Sequence, residues 1–333
     1  MQKIKNALYS KPDDYERFQA QKWEMLKGHG PCKNYYQEIV LHGCKAQINL
    51  DVSDTTDPVP LHSHSFYEIL FCCQGGIDYL VDSQRYRLEE GDIVFIEPGL
   101  VHRPLYPAQM EVPYVRYALW LDAEFFQQGC ALDEALDLAP TQCRRRGSYL
   151  LRTTRATWTG LRTAFDNLWR ETQQQRPGWQ ACVAYGALTL MAHLGRTAYY
   201  QENAVPAEEN DKLLATMFRY IDTHLGEKIT LEDMARHCLV SKSTVSHAFR
   251  QQLGVPFYQC VIQRRLITAK NSILSGAPLH QAAEESGFSD YSSFYRLFKQ
   301  EYGLSPREFL AVHKQKELPV PERPLQPEKD TVC

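Results

Sequence analysis

Two segments near the carboxyl end of this 333-residue chain repeat one plan, and this repeat limits the fold more than any other feature. Each segment has a short predicted helix with a small residue inside it, Ala235 or Ala283. A tight turn follows, and then a longer predicted helix that stops at Gly254 or Gly303. Two helices that cross steeply over a short turn need a small side chain where they touch. The plan is that of a helix-turn-helix, and it occurs twice.

The second helix of each segment is expected to begin at a serine. Ser241 and Ser289 close the two turns, and a serine hydroxyl there can accept a hydrogen bond from the free N–H groups of a helix start. Helical spacing gives each helix an apolar face and a polar face. The residues that we predict to contact DNA are Lys242, Ser243, Thr244, Ser246, His247 and Arg250 in the first unit, and Tyr291, Ser292, Ser293, Tyr295, Arg296 and Lys299 in the second. Short polar side chains near a helix start can reach base edges, and Arg and Lys can bind guanine or phosphate.

Residues of about 210 to 312 resemble the DNA-binding domain of the AraC/XylS family of transcription regulators. The resemblance rests on GFSDYSSFYRLFKQEYGLSPREF at 287–309 and on ITLEDMAR at 229–236. It implies an all-α domain in which a long helix, about Pro256 to Leu274, joins two helix-turn-helix units. Two recognition helices would then enter successive major grooves of an operator DNA duplex. Carried over by position, the base-reading residues of the family fall on Ser243, Ser246, His247, Ser292 and Arg296.

The first turn departs from this family pattern. Leu239 stands where the family usually has glycine. Because a left-handed backbone conformation costs a leucine about 1 kcal/mol, we expect the first turn to be built differently from the second.

Charge is distributed unevenly along the chain. The net charge is −3, but residues 210–316 contain 14 Lys or Arg and 10 Asp or Glu, which gives +4 there and −7 for the remainder. A mildly basic end on an acidic body is expected when only one domain touches DNA. A protein that organises DNA without sequence preference fits poorly with the acidic body.

A second pattern lies between residues 34 and 120, where short alternating runs are separated by turn residues, which predicts a small β-sandwich or barrel. These runs carry two histidines and a glutamate close together and a third histidine further on. They resemble the two motifs of the cupin barrel, whose three histidines and one glutamate hold a metal in cupin enzymes. The resemblance implies a divalent metal, for which Fe, Mn, Ni or Zn would suit the ligand set. The candidate metal ligands are His62, His64, Glu68 and His102.

The same residues are alternatively contacts for a small-molecule effector, or parts of the barrel scaffold. Aromatic side chains near the presumed barrel mouth would stack on a sugar ring, and His102, Arg103 and Glu68 would bond its hydroxyl groups. The residues assigned to effector binding are His62, His64, Glu68, Tyr79, His102 and Trp120. Further stacking candidates are Tyr67, Tyr86, Tyr106 and Tyr117.

These patterns predict an α+β protein of two domains. Residues 1–200 would form the ligand-binding domain, with a cupin-like β-barrel at about 34–120 and flanking apolar helices at about 154–198. Those helices would either cover the barrel or pair with a second copy of the chain. A linker at 201–210 leads to the DNA-binding domain at 211–312, and residues 313–333 are predicted to be disordered.

The sequence predicts a sequence-specific transcription regulator and not an enzyme. The regulator would respond to a small molecule, and the patterns favour a carbohydrate. Its expected partners are operator DNA, the effector, a second copy of the chain and RNA polymerase. The alternative is a metal-dependent cupin enzyme fused to a DNA-binding domain. The chain starts with a polar stretch, has no apolar run near ~20 residues, and has ten cysteines without paired spacing. We therefore expect a cytoplasmic protein with reduced thiols and no membrane partner.

Overall fold

The computed structural model describes residues 44–53, 59–201 and 211–314. Strands dominate its first part and helices make up all of its last part, so the predicted α+β fold class is confirmed. Three predicted segments lie mainly outside the described residues. These are the N-terminal stretch, most of the linker at 201–210, and all but the first two residues of the tail at 313–333.

The strands of the described residues form two antiparallel sheets that face each other. Their bounds are β1 (Ala46–Ser53), β2 (Tyr67–Gln74), β3 (Asp78–Val81), β4 (Gln84–Arg87), β5 (Ile93–Ile96), β6 (His102–Leu105), β7 (Tyr114–Leu121) and β8 (Leu150–Leu151). The larger sheet has the order β1-β7-β2-β5-β8, and the smaller sheet has the order β4-β3-β6. This is the cupin-like arrangement that the sequence predicts.

Each strand of the larger sheet has two buried faces, because successive side chains point to opposite sides. On β2, Ile69 and Phe71 belong to an apolar cluster on the outer side of the sheet, together with the helices that follow. Leu70 and Cys72 belong to a second cluster, which lies between the two sheets. We refer to the second region as the barrel interior.

Four helices cover the outer side of the larger sheet: α1 (Ala123–Leu132), α2 (Leu138–Arg146), α3 (Arg155–Gln174) and α4 (Trp179–Tyr200). The predicted apolar helix at this place, α3, buries Leu161, Phe165, Leu168 and Trp169 against the sheet. The α3 and α4 helices thus cover the barrel, so burial of these side chains needs no second copy of the chain.

The helical part contains α5 (Asp211–Thr223), α6 (Leu231–His237), α7 (Lys242–Leu253), α8 (Phe257–Leu274), α9 (Leu279–Glu285), α10 (Tyr291–Tyr302) and α11 (Pro306–Lys314). The pairs α6–α7 and α9–α10 are the two helix-turn-helix units, and α8 connects them. Pro256 is the N-cap of α8. Ala235 and Ala283 are buried where each short helix meets its neighbours, as their small size predicts.

Of the two recognition helices, α7 begins at the predicted cap and α10 does not. Ser241 caps α7, and its Oγ accepts a hydrogen bond from the Thr244 amide at 3.1 Å. In the second unit the cap is Asp290, whose Oδ1 accepts from the Ser293 amide at 2.7 Å. The prediction of Ser289 as the cap was wrong by one residue, because a carboxylate satisfies the same free N–H groups.

The first turn has the same backbone as the second, so the expectation based on Leu239 was wrong. Leu239 has φ 55°, in the left-handed region, and Gly287 has φ 87° at the matching place. The bond from Val240 N to the Ala235 carbonyl (3.0 Å) repeats that from Phe288 N to the Ala283 carbonyl (3.1 Å). The short turn therefore dictates the conformation, and the leucine adopts it at a cost of about 1 kcal/mol.

Two glycines with positive φ allow the cost of backbone strain to be measured separately from the cost of a steric clash, when each is replaced by alanine. A Cβ at Gly287 would lie 1.8 Å from the Leu225 carbonyl oxygen, whereas a Cβ at Gly254 (φ 62°) would meet no atom within 4 Å. We expect Gly287→Ala to lower the free energy of unfolding by about 3 kcal/mol or more. Gly254→Ala should cost only about 1–2 kcal/mol, the conformational penalty alone. Urea unfolding of both variants checks this, and equal losses would contradict it.

Candidate functional site

Three buried side chains from both sheets meet in the barrel interior. His64 Nε2 lies 3.3 Å from Glu68 Oε2, and His102 Nε2 lies 3.1 Å from the same oxygen. The ligand atoms of these three residues all lie within 4.8 Å of one another. On the other side, Trp120 Nε1 donates to Glu68 Oε1 at 2.7 Å. The glutamate is therefore the centre of the cluster.

Backbone carbonyls determine which ring nitrogen of each histidine carries a proton. His64 Nδ1 lies 2.8 Å from the Phe66 carbonyl oxygen, and His102 Nδ1 lies 2.9 Å from that of Leu100. A carbonyl oxygen can only accept, so both Nδ1 atoms must donate. In the neutral rings, each Nε2 then presents a lone pair to Glu68.

The electrostatics of this cluster call for a positive charge at its centre. Burial lowers the pKa of His64, which favours the neutral ring. Burial would raise the pKa of Glu68, but hydrogen bonds from His102 and His64 outweigh it and hold that pKa well below its usual range. Those bonds need a proton on Nε2, which the neutral tautomers lack. A carboxylate facing two nitrogen lone pairs is stable only with a cation between them, either a proton or a metal.

The remaining predicted effector residues surround this cluster. The centroid of the His62 ring lies 4.2 Å from that of the His102 ring. The Tyr79 ring is parallel to the His102 ring, with 6.4 Å between the centroids. His62 is outside the group whose ligand atoms converge, so its prediction as a metal ligand does not fit the geometry. Its Nδ1 faces the Pro60 carbonyl at 3.0 Å. Phe66, which no sequence pattern indicated, stacks on His64 with 3.9 Å between the ring centroids.

Three further sequence predictions for this site are wrong. Tyr67 and Tyr117 lie in the cluster on the outer side of the larger sheet, because strand alternation turns them away from the interior. Arg103 does not face the ligand site. It donates to the backbone carbonyl of Leu253, in the helical part of the chain.

A polar strand face in the barrel interior was also missed. The alternating β1 sequence AQINLDVS buries its apolar residues on the outer side, so the polar ones face inward. The register places Gln47 opposite Trp120 and Asp51 opposite Arg116. Arg116 and Asp51 are buried and form an ion pair at 3.5 Å. The period-two alternation of β1 was the signal that could have revealed this face.

The predicted DNA-contacting residues lie on the surface of α7 and α10. Most are exposed, and Ser246, Tyr291 and Ser293 are half-buried. Lys242 donates to Glu232 Oε1 at 2.5 Å. Arg296 is exposed and stands one turn from Ser292 on the same helical face. Each helix thus presents a polar face, and its N-terminal end is exposed, as entry into a DNA groove requires.

Comparisons with known proteins agree with both parts of the fold. A model described as an AraC-like ligand binding domain matches residues 49–181, and one described as a helix-turn-helix domain matches residues 234–311. The chain is 35% identical over 91 residues to the probable transcriptional regulator LumQ of Photobacterium leiognathi, which covers 27% of this chain and 37% of LumQ. It is 24% identical over 252 residues to the transcriptional activator RhaS of Escherichia fergusonii, covering 75% and 86%.

A third relative is the arabinose operon regulatory protein of Salmonella typhimurium, 32% identical over 120 residues, covering 35% of this chain and 42% of that protein. Fold and matches together define a ligand-binding domain followed by a helix-turn-helix domain, and the relatives named here are transcription regulators. The chain belongs to the AraC/XylS family. Among the described residues, none of the helices is long and apolar enough to cross a membrane.

Proposed function

We propose that the barrel interior binds a carbohydrate and that this binding controls which DNA sites the helical domain holds. The polar lining of the interior carries this proposal. Around the cluster of His64, Glu68 and His102 stand acceptors, donors and aromatic rings, which is the mixture that sugar hydroxyls and ring faces require. An apolar effector offers no hydrogen-bond partner to a buried polar group that lacks one, at a cost of about 1–3 kcal/mol for each such group.

The strands place these groups from several directions. Tyr106 OH lies 3.0 Å from Ser53 Oγ, and Arg116 donates to the same hydroxyl at 3.0 Å. The Tyr114 hydroxyl is buried without a hydrogen-bond partner among the described residues. One relative of this chain is the arabinose operon regulatory protein, which supports a sugar as the effector class.

We assign ligand binding to residues 1–200 and DNA binding to residues 211–312, with Lys242, Ser243, Arg296 and the other predicted residues of α7 and α10 on the DNA. Two copies of the chain would bind one operator, since α4 leaves Tyr185, Tyr199 and Tyr200 exposed beside the covered barrel. Stoichiometry on the DNA duplex described below tests this. The rival proposal, a metal-dependent enzyme, requires turnover of a substrate, while the relatives named above are regulators.

A sugar that binds only the native protein must raise its melting temperature. We expect one class of a panel of pentoses, hexoses and deoxyhexoses to stabilise the wild-type protein, and to stabilise Asp51→Asn and Trp120→Phe much less. Differential scanning fluorimetry measures the shift. Leu239→Ser changes an exposed residue in the turn between α6 and α7 and serves as the control, so it should respond like the wild type. An equal shift in all four proteins would refute binding in the interior.

Arg296 is the predicted base-reading residue with the longest donor side chain on α10. We expect Arg296→Ala to weaken binding to a duplex selected by the wild-type protein from random-sequence DNA by ~1–3 kcal/mol, and to relax base preference at one position. Arg307→Ala removes an equal charge from an exposed position of α11 and should leave base preference unchanged. Fluorescence anisotropy at fixed salt gives both affinities. Unchanged binding by folded Arg296→Ala would exclude the assignment of α10.

We further propose that His64, Glu68 and His102 hold a divalent metal. Metal–nitrogen bonds of about 2.0–2.1 Å set the edge of a ligand tetrahedron at about 3.3 Å. The observed separations of 3.3 and 3.1 Å between the Nε2 atoms and Glu68 Oε2 are close to this edge. The Nδ1–carbonyl bonds orient the rings as second partners of metal-binding histidines do. The bound metal would supply a positive charge to which a sugar oxygen can bind.

Histidine variants separate this three-ligand site from a four-ligand cupin site. We expect one equivalent of metal in the purified wild-type protein or after addition of Zn²⁺, measured by elemental analysis and by calorimetric titration. His64→Ala should lose at least about tenfold in affinity for Zn²⁺. His62→Ala changes the neighbouring histidine of the same motif and should retain the metal. Equal loss in both variants would restore His62 as a ligand, and no binding in any protein would leave a proton as the cation.

A further inference from the structure

One face of the barrel contacts the helical domain. Leu61, Leu80 and Val101 of the barrel share one apolar cluster with residues of α5 to α8, including Met217 and Phe257. All five are buried. We call the outward surface of residues 61–63, 80–82 and 101–105 the docking face.

Strand alternation joins the docking face directly to the ligand site. His62 and His64 point into the barrel, so Leu61 and Ser63 point outward. His102 also points inward, and the next residue, Arg103, points outward, where the register places it opposite Leu80. Hydrogen bonds between the backbones of His62 and His102 (2.9 and 3.2 Å) tie the two segments together. Thus each site histidine is a sequence neighbour of a residue that touches the helical domain.

Three buried cations cross the boundary and bind backbone carbonyls. Lys270 of α8 donates to the Ser63 carbonyl at 2.6 Å. Arg264 of α8 donates to the Asp82 carbonyl at 3.1 Å and also binds Asp222 of its own domain. Arg103 donates in the opposite direction, to the Leu253 carbonyl. Burial lowers the pKa of Arg103 to about 10, so its guanidinium stays charged at neutral pH.

These contacts reach the carboxyl ends of both recognition helices. Leu253 is the last residue of α7, and its free carbonyl is a favourable site for a cation at the negative end of the helix dipole. The Lys270 ammonium lies 5.7 Å from the ring of Tyr302, the last residue of α10. The opposite ends stay exposed, at Ser243 and Ser292. The barrel therefore contacts α7 directly through Arg103 and reaches α10 only through Lys270 of α8, and neither contact covers the DNA-reading faces.

We propose that the docking face is a brace that fixes the two recognition helices in the arrangement that binds DNA, and that the site histidines control it through Ser63 and Arg103. This inference rests on the proposed function of the barrel as a sensor. Ser63 lies between His62 and His64, and Arg103 follows His102. A ligand that moves these histidines must also move Ser63 or Arg103, because they share a peptide unit. Ligand binding in the interior therefore changes the position of residues that contact the helical domain. The contiguous contacts supply the physical path that coupling between two sites requires.

Coupling is reciprocal, so DNA must affect the docking face even without an effector. We expect the duplex selected by the full-length wild-type protein to slow hydrogen exchange in segments 59–64 and 101–105 by about fivefold or more, the lower range of such couplings. Lys270→Met should abolish this slowing. Lys228→Met removes the same charge from an exposed position of the same domain and should retain it. Mass spectrometry of free and DNA-bound protein measures exchange.

The outcomes separate this inference from the proposed function. Unchanged or faster exchange in the wild-type protein on a duplex that it binds would overturn the brace, whatever the variants do. Slowing that persists in Lys270→Met would show that Lys270 does not carry the coupling, and Arg103→Met then tests the second contact. Slowing that persists in both single variants and in the double variant would overturn the role of these contacts. Failure to bind any DNA with base preference would instead refute the DNA-reading function itself.

Discussion

The two-sided strand is the constraint on which the rest of this structure depends. Side chains that alternate between faces let one short segment carry a histidine inward and a docking contact outward, as His102 and Arg103 do. The same rule divides β2 between Glu68 in the site and Tyr67 under the covering helices. The histidine–glutamate cluster, the barrel core and the contact between the domains are therefore built from the same few strands. A change on one side of such a strand cannot leave the other side unaffected, because the backbone between them is shared.

Local signals made the helical part predictable from sequence. Caps, turns and apolar spacing act over a few residues, so they located the two helix-turn-helix units and the connecting helix. The errors there were small, with Asp290 instead of Ser289 at one cap and an expected change in the first turn that Leu239 does not produce. In that turn the geometry of two crossing helices outweighs a conformational cost of about 1 kcal/mol in one residue. Propensity gives way wherever such tertiary contacts are stronger.

Long-range pairing explains what the sequence did not reveal in the barrel. The motif resemblance brought His64, Glu68 and His102 together correctly, but it could not exclude His62, whose position depends on the bridge to β6. Arg103 was predicted to contact the ligand because its neighbour His102 was. Its true partner, the Leu253 carbonyl, is 150 positions away, and no local pattern encodes that contact. The site could be named from sequence, whereas its boundary with the other domain could not.

Buried cations at the domain boundary are a costly way to obtain stability, since desolvation opposes much of the gain from each charged contact. Apolar side chains such as Leu61 and Leu80 already stabilise the contact between the barrel and the helical domain, and apolar contacts have no preferred direction. Hydrogen bonds from Lys270 and Arg264 to single carbonyl oxygens do have a direction, and they fix one register of the barrel on α8. We infer that these charges set the geometry of docking rather than its strength. A boundary held in one register by a few directional hydrogen bonds can change its arrangement when a carbonyl beside the ligand site moves by a fraction of a bond length. An apolar boundary alone would keep its arrangement after such a movement, because apolar contacts do not depend on direction.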